Sequence, residues 1–347
     1  MHLEELLSKA VKKGASDIHI LVGKPPTLRV DGELTRIDSK METILPNKAE
    51  ALAFSILTST QREKFIKDRE IDLSYESGDG SRFRVNIHWE RGNVGIVARI
   101  IPNAPPSMED IGMPEVVYQF LEKKQGLVLM TGPTGCGKST SLAAMVDHIN
   151  HNKAVHIVTL EDPIEFLYQA DKSLIRQRQL GEDMLSFRNA LKRVLRQDPN
   201  VILVGEMRDL ESIAATITLA ETGHLVLATL HTMNAAQTVD RIIDVFPPYQ
   251  QPQVRMQLSI FLNGIVSQQL LPRIDGGRVA GREVLVNTPA VANLIRENKL
   301  SQLKTTIQTG VEEGMFSMDQ NIKQLLSQNM IDREVAVSYM TSPDLLD

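Results

Sequence analysis

Residues 132–139 read Gly-Pro-Thr-Gly-Cys-Gly-Lys-Ser. This fits G-x-x-x-x-G-K-[ST], the pattern of a phosphate-binding loop. The residue types follow from the chemistry. Gly132, Gly135 and Gly137 permit a tight turn whose N–H groups point inward at phosphate oxygens, with Pro133, Thr134 and Cys136 filling the turn and Thr140 following it. Lys138 reaches the β- and γ-phosphates, and the Ser139 hydroxyl is a ligand for Mg²⁺. The flanks agree. Gly126–Thr131 is an apolar run that predicts a buried strand, and Leu142, Met145, Val146 and Ile149 have helical spacing. A helix starting at Ser139 directs its positive end at bound phosphate.

With 347 residues, one to three domains are expected. The net charge of −5 argues against a nucleic-acid partner, which needs a basic surface. Cys136 is the single cysteine, so neither a disulfide framework nor a cysteine-rich zinc site is expected. No apolar run approaches a membrane span, and the first residues lack a signal-peptide pattern, so a cytoplasmic location is expected.

The texture changes along the chain. Residues 2–13 have the spacing of an amphipathic helix. After them, 16–22, 28–30, 33–37, 71–75, 82–89 and 94–101 read as strands, with two short helices between 47 and 67. Pro102, Pro105 and Pro106 break the pattern. Beyond them, strands at 126–131, 155–160, 201–204 and 224–229 alternate with helices at 139–150, 183–196, 209–221 and 234–244. That alternation predicts an α/β domain with a parallel sheet. Past Pro248 the chain reads as mostly helical, with a hairpin near 271–286. The expected organisation is a domain at 1–101, a linker at 102–112 and a larger domain at 113–347.

Acidic residues end two of the predicted parallel strands. Glu161 and Glu165 follow 155–160, at the edge where such sheets bind ligands. Glu206 follows 201–204 and is a candidate general base, or the group that positions an attacking water. Gly205 stands where the acid next to it is commonly Asp. His224 and His231 flank the strand between them and cannot both face one site; His231, at the carboxyl end, is favoured. Arg82 and Arg84 share a strand face in the first domain. With Arg99 they are candidates to reach phosphates at the domain interface.

Taken together, GPTGCGKST (132–140), TLEDPIEF (159–166), VILVGEMRD (201–209) and TGHLVLATLHT (222–232) resemble the PilT family of type IV pilus retraction ATPases. The resemblance runs along nearly the whole chain. It implies a PAS-like N-terminal domain, a RecA-like P-loop NTPase domain and a homohexamer. It implies ATP and Mg²⁺ bound between the domains. Glu206 would be catalytic, with Glu161, His231, Arg82 and Arg84 assisting. Glu161 and Ser139 would be metal ligands, and Glu165, His224 and Arg99 would complete the nucleotide site. The implied partners are the inner-membrane pilus platform protein and a paralogous pilus ATPase, at the cytoplasmic face of the inner membrane. The implied function is pilus retraction driven by ATP hydrolysis; the alternative is an accessory paralogue assisting another motor. Residues 290–297 resemble the AIRNLIRE signature linked to retraction, with Ala292 in place of Arg.

Overall fold

The computed structural model describes residues 2–30, 32–38, 41–102 and 104–346. The chain forms two compact units, Met1–Ala104 and Pro105–Asp347.

In the first unit, α1 (Leu3–Lys12) buries Leu3, Leu6, Leu7 and Ala10 along one stripe. Its ends suit the helix dipole, with Glu4 and Glu5 in the first turn and Lys9 and Lys12 in the last. It is followed by β1 (Asp17–Ile20), β2 (Thr27–Val30), β3 (Glu33–Arg36), α2 (Pro46–Phe54), α3 (Ser59–Asp68), β4 (Glu70–Glu76), β5 (Arg82–Glu90) and β6 (Asn93–Ile101). The strands form one antiparallel sheet in the order β3-β2-β1-β6-β5-β4. Alternation sends Phe83, Val85 and Ile87 into the core, leaving Arg82 and Arg84 on the other face.

The second unit begins with α4 (Glu115–Glu122), β7 (Gly126–Thr131), α5 (Lys138–Asn152), β8 (His156–Glu161) and β9 (Leu174–Gln179). It continues with α6 (Phe187–Val194), β10 (Val201–Val204), α7 (Leu210–Glu221), β11 (Leu225–Leu230), α8 (Ala235–Asp244) and α9 (Gln251–Phe261). It ends with β12 (Leu262–Pro272), β13 (Arg278–Val286), α10 (Pro289–Arg296), α11 (Leu303–Thr309), α12 (Met318–Ser327) and α13 (Arg333–Tyr339). Its sheet has the order β13-β12-β7-β11-β10-β8-β9, parallel throughout except for β13. Strands β7, β10 and β11 are buried along their whole length. Both faces are therefore covered, as a parallel sheet requires. Leu127 and Leu129 pack toward the side of α6–α11, and Val128 and Met130 toward α4 and α5.

Two strands depart from the expectation. Leu174–Gln179 reads Leu-Ile-Arg-Gln-Arg-Gln and carries too little apolar pattern to predict a strand, yet it pairs with β8 along its length. Residues 262–270, expected to be helical, form most of β12, which adds to β7 in parallel through a register shift between Leu262 and Gly264. The hairpin predicted at 271–286 is the outer part of this longer ribbon. Helix α6 also starts later than expected, because Ser186 caps it by accepting from the Asn189 N–H.

Adjacent residues of β13 carry opposite buried charges on opposite faces. Arg282 points toward the α4 side, where it donates to the Gly112 and Ile111 carbonyls. Glu283 points the other way, accepting from the Ala235 N–H at the start of α8 and from the Met318 N–H at the start of α12. Burial raises the Glu283 pKa, and these two helix-terminal N–H groups oppose the rise. A different constraint acts at Gly264, where a Cβ would meet the Phe120 ring and lie 2.8 Å from the Leu285 carbonyl oxygen. A backbone oxygen cannot swing away, so Gly264→Ala is expected to destabilise the chain by about 1–3 kcal/mol, measured as a lower urea midpoint.

Candidate active site

The register of the second sheet determines where the chemistry converges. Thr131 pairs with Leu230, and Val204 with both Ala228 and Leu160. The carboxyl ends of β7, β11, β10 and β8 thus lie side by side, and the segments leaving them carry Gly132–Thr140, His231, Glu206 and Glu161. This is the edge at which open parallel sheets bind ligands.

The loop has the backbone its glycines predict. Gly132, Gly135 and Gly137 have φ of 139°, 79° and 84°, a region that side chains disfavour. Gly132 is also sterically constrained, because a Cβ there would run into the Gln268 carbonyl and approach Cys136 Sγ. Thr134 and Gly135 are exposed at the tip, Pro133 is half-buried, and Cys136 is buried with its thiol pKa raised by burial. Gly137 caps α5, whose first turn contains Lys138, Ser139 and Thr140. The first bond back to the cap comes from Ser141 N–H to the Gly137 carbonyl at 3.0 Å. The N–H groups before it are orphan donors at the positive end of a helix, which suits phosphate.

Lys138 links the loop to the other groups. Its ammonium donates to the carbonyls of Gly132 at 2.7 Å and Pro133 at 3.0 Å, and lies 3.4 Å from His231 Nδ1. The opposite ring nitrogen, Nε2, is 3.0 Å from Glu206 Oε1. Glu206 Oε2 accepts from Arg208 Nε at 2.9 Å, and Arg208 also faces Asp162 at 3.4 Å. An ammonium can only donate and a carboxylate only accept. The two contacts therefore suit an imidazole that accepts at Nδ1 and donates from Nε2. Burial lowers the Lys138 pKa, and the nearby carboxylates of Glu206 and Glu165 oppose that shift.

Glu206 is held from below. Gly205 donates to the Leu160 carbonyl at 2.8 Å, its own carbonyl accepts from Thr229 Oγ1 at 2.5 Å, and Met207 donates to the Thr229 carbonyl at 3.2 Å. A Cβ at Gly205 would lie 3.1 Å from the Leu160 oxygen. Any side chain before Glu206 would therefore crowd the end of β8.

Glu161, at the end of β8, is buried. It accepts from Thr159 Oγ1 at 2.6 Å and Gln177 Nε2 at 3.3 Å, and burial raises its pKa. These contacts give it a part in holding the 162–168 loop, on which Glu165 is exposed. Gln177 and Gln179, both on β9, fix that loop by accepting from the Tyr168 and Ile164 N–H groups. His224 is not brought to the site. It precedes β11, about 20 Å from its far end at strand rise, and its Nδ1 faces the Leu219 carbonyl at the end of α7. Arg82, Arg84 and Arg99 belong to the first unit. Arg84 and Arg99 face each other across β5 and β6, and Arg99 Nε donates to Asp17 at 2.9 Å.

Sequence reasoning missed Gln177, Gln179, Gln268 and Arg282. Gln268 and Arg282 were detectable as polar residues within apolar stretches; Gln177 and Gln179 stand in polar surroundings without a motif. Among the described residues no three or more His, Cys, Asp or Glu cluster to hold a metal, and no helix is long and apolar enough to cross a membrane.

A glycine loop on a helix N-terminus, a lysine within it and a poised carboxylate on the neighbouring strand define a P-loop nucleotidase. The family model described as type II/IV secretion system protein matches residues 1–338. The chain is 47% identical over 344 residues to the type IV pilus retraction ATPase PilT of Pseudomonas aeruginosa, covering 99% of both chains. It is 40% identical over 343 residues to the type IV pilus ATPase PilU of the same organism, covering 99% of this chain and 89% of PilU. The crystal structure of the pilus retraction motor PilT with bound ADP matches with a TM-score of 0.93 at 42% identity, over 100% of this chain and 99% of that one. The chain belongs to the type II/IV secretion ATPase family and is a PilT/PilU-type member of it.

The environment of Glu161 has a consequence for stability. The folded state holds its proton more tightly than the unfolded chain does, so stability falls as pH rises from the ordinary glutamate value of 4.5 through the raised folded value. Glu161→Gln removes that ionisation. Its urea midpoint is expected to decline less than that of the wild type between about pH 5 and about pH 8.

Proposed function

We infer that the chain is a motor enzyme that hydrolyses ATP and powers the retraction of type IV pili. The observation that carries this reading is the Lys138–His231–Glu206 chain at the mouth of the phosphate loop. The near full-length identity to a pilus retraction ATPase supports the task that the hydrolysis drives.

In this reading the N–H groups of Gly132–Thr140 and the Lys138 ammonium bind the nucleotide phosphates. The residues present fit that ligand, because the glycine turns and the helix start supply donors and the loop presents no anion. Mg²⁺, when bound with the nucleotide, neutralises phosphate charge; Ser139 would hold it, with Glu161 as the second candidate. Glu206 orients the attacking water and takes its proton. Arg208 and His231 each hold one of its oxygens, which fixes the carboxylate plane. His231 also touches Lys138, so the position of the base is tied to the group that contacts phosphate. Arg82, Arg84 and Arg99 are proposed phosphate contacts carried by the first unit, from the same subunit or a neighbouring one. His224 is proposed only as a support for the α7 end.

The same reading makes the first unit a PAS-like domain (1–101), followed by a linker (102–112) and a RecA-like ATPase domain (113–347). It assembles as a homohexamer at the cytoplasmic face of the inner membrane, acting on the pilus platform protein. A ring has a physical rationale, because a neighbour can complete each site and couple turnover to motion. The alternative is an accessory paralogue that assists another pilus motor; the 40% identity to a second pilus ATPase, PilU, shows that this chain resembles more than one pilus ATPase.

Mg²⁺-dependent ATP hydrolysis by the purified chain distinguishes the two. Turnover is expected, and Glu206→Gln is expected to lower kcat by about 10²- to 10⁴-fold while sparing nucleotide affinity. Nucleotide binding without turnover in the wild type would support the accessory role instead. Light scattering of the purified chain with ATP and Mg²⁺ is expected to give the mass of six copies; a persistent monomer would rule out the ring.

A further inference from the structure

Gln268 and Arg282 pair across β12 and β13, and both are buried. Gln268 Nε2 donates to the Cys136 carbonyl at 2.7 Å. Its Oε1 accepts from Ser141 Oγ on α5 at 2.9 Å and from Arg282 Nε at 2.8 Å. The remaining guanidinium nitrogens donate to the Gly112 carbonyl at 2.7 Å and the Ile111 carbonyl at 2.9 Å. A continuous polar chain thus runs from residues 111–112 through a guanidinium and an amide to the phosphate loop.

Every acceptor in this chain is neutral, and among the described residues no carboxylate pairs with Arg282. Burial lowers its pKa to about 10, which still leaves it charged near neutrality. An uncompensated buried cation opposes folding, and apolar side chains fill such space at lower cost. The arrangement therefore calls for a role other than stability.

The geometry at Cys136 supplies one. In a trans peptide the carbonyl and the following N–H point in opposite directions. Holding the Cys136 carbonyl toward β12 turns the Gly137 N–H away from β12, into the loop. Strand β12 backs the loop at two further points. A Cβ at Gly132 would strike the Gln268 carbonyl, and one at Gly137 would lie 3.1 Å from Gln268 Nε2.

We propose that Gln268, oriented by Arg282, is a positioning residue for nucleotide binding: it aims the Gly137 N–H at the phosphates and ties the loop to residues 111–112. This deepens the ATPase reading and rests on it.

Gln268→Glu in the full chain is the first test. The carboxylate still accepts from Ser141 and gives Arg282 a counterion, so the fold is retained. Its second oxygen, however, faces the Cys136 carbonyl, acceptor against acceptor. The expected result is a thermal midpoint no lower than wild type with the KM for ATP raised about tenfold, and kcat changed less. The double variant Gln268→Met with Arg282→Met removes the polar chain without adding charge near the loop, and is expected to raise KM in the same way. A KM within about twofold of wild type in either folded variant overturns the proposal. In the wild type, ADP is expected to slow amide exchange at residues 111–113; unchanged exchange there removes the tie to that segment. Lys138→Ala separates the two levels. If it binds ADP as well as wild type, the nucleotide reading itself fails. If it loses binding while Gln268→Glu does not, only the positioning role fails.

Discussion

The site depends on strand register. Four largely buried strands end within two residues of one another, so the register of their pairing decides which residues meet at the carboxyl edge. Because β7, β10 and β11 are apolar on both faces, a slip would not expose a wrong face, so pairing is fixed instead by what leaves each strand. Gly205 fits closely over Leu160, and Thr229 binds the Gly205 carbonyl. These contacts set the height of Glu206 relative to the phosphate loop. The chemistry is carried by a few side chains, but their spacing is a property of the sheet.

Polar side chains then hold what the sheet leaves loose. The loops at the carboxyl edge are irregular, and their backbone groups need partners. Glutamine serves repeatedly because it donates and accepts from one planar group. Gln177 and Gln179 hold the 162–168 loop, and Gln268 holds the phosphate loop. Asn150 does the same for the approach to β9, donating to the Gln169 carbonyl and accepting from the Asp171 N–H. These residues touch the groups that touch the ligand, and the precision of the site rests on them.

What was legible in the sequence follows from the range of the forces involved. The phosphate loop was legible because its glycines answer a local demand, positive φ at three positions within six residues. The strands β7, β10 and β11 were legible as short apolar runs between turn residues. The position of His231 was legible from strand polarity alone. By contrast β9 is an edge strand of arginines and glutamines, held by pairing with β8, and no local pattern marks it. The start of β12 follows directly on α9, so one apolar stretch contains both a helix and a strand, and period cannot divide them. The pairing of Arg99 with Asp17, 82 residues away, is likewise a tertiary fact.

The opposite charges at Arg282 and Glu283 have a further consequence. Strand β13 lies at the sheet edge, antiparallel to β12 and met on its outer side by an isolated bridge from Val284 to Phe316; an edge is where pairing errors are easiest. Its apolar residues offer little discrimination, since Val284 and Leu285 are buried on opposite faces alike. A shift of one residue would turn the guanidinium toward two helix N-termini and the carboxylate toward a row of carbonyl oxygens. Each charge would then meet its own sign. The pair thus acts as a polarity key for the hairpin, admitting one alignment of the edge strand and penalising its neighbours on both sides.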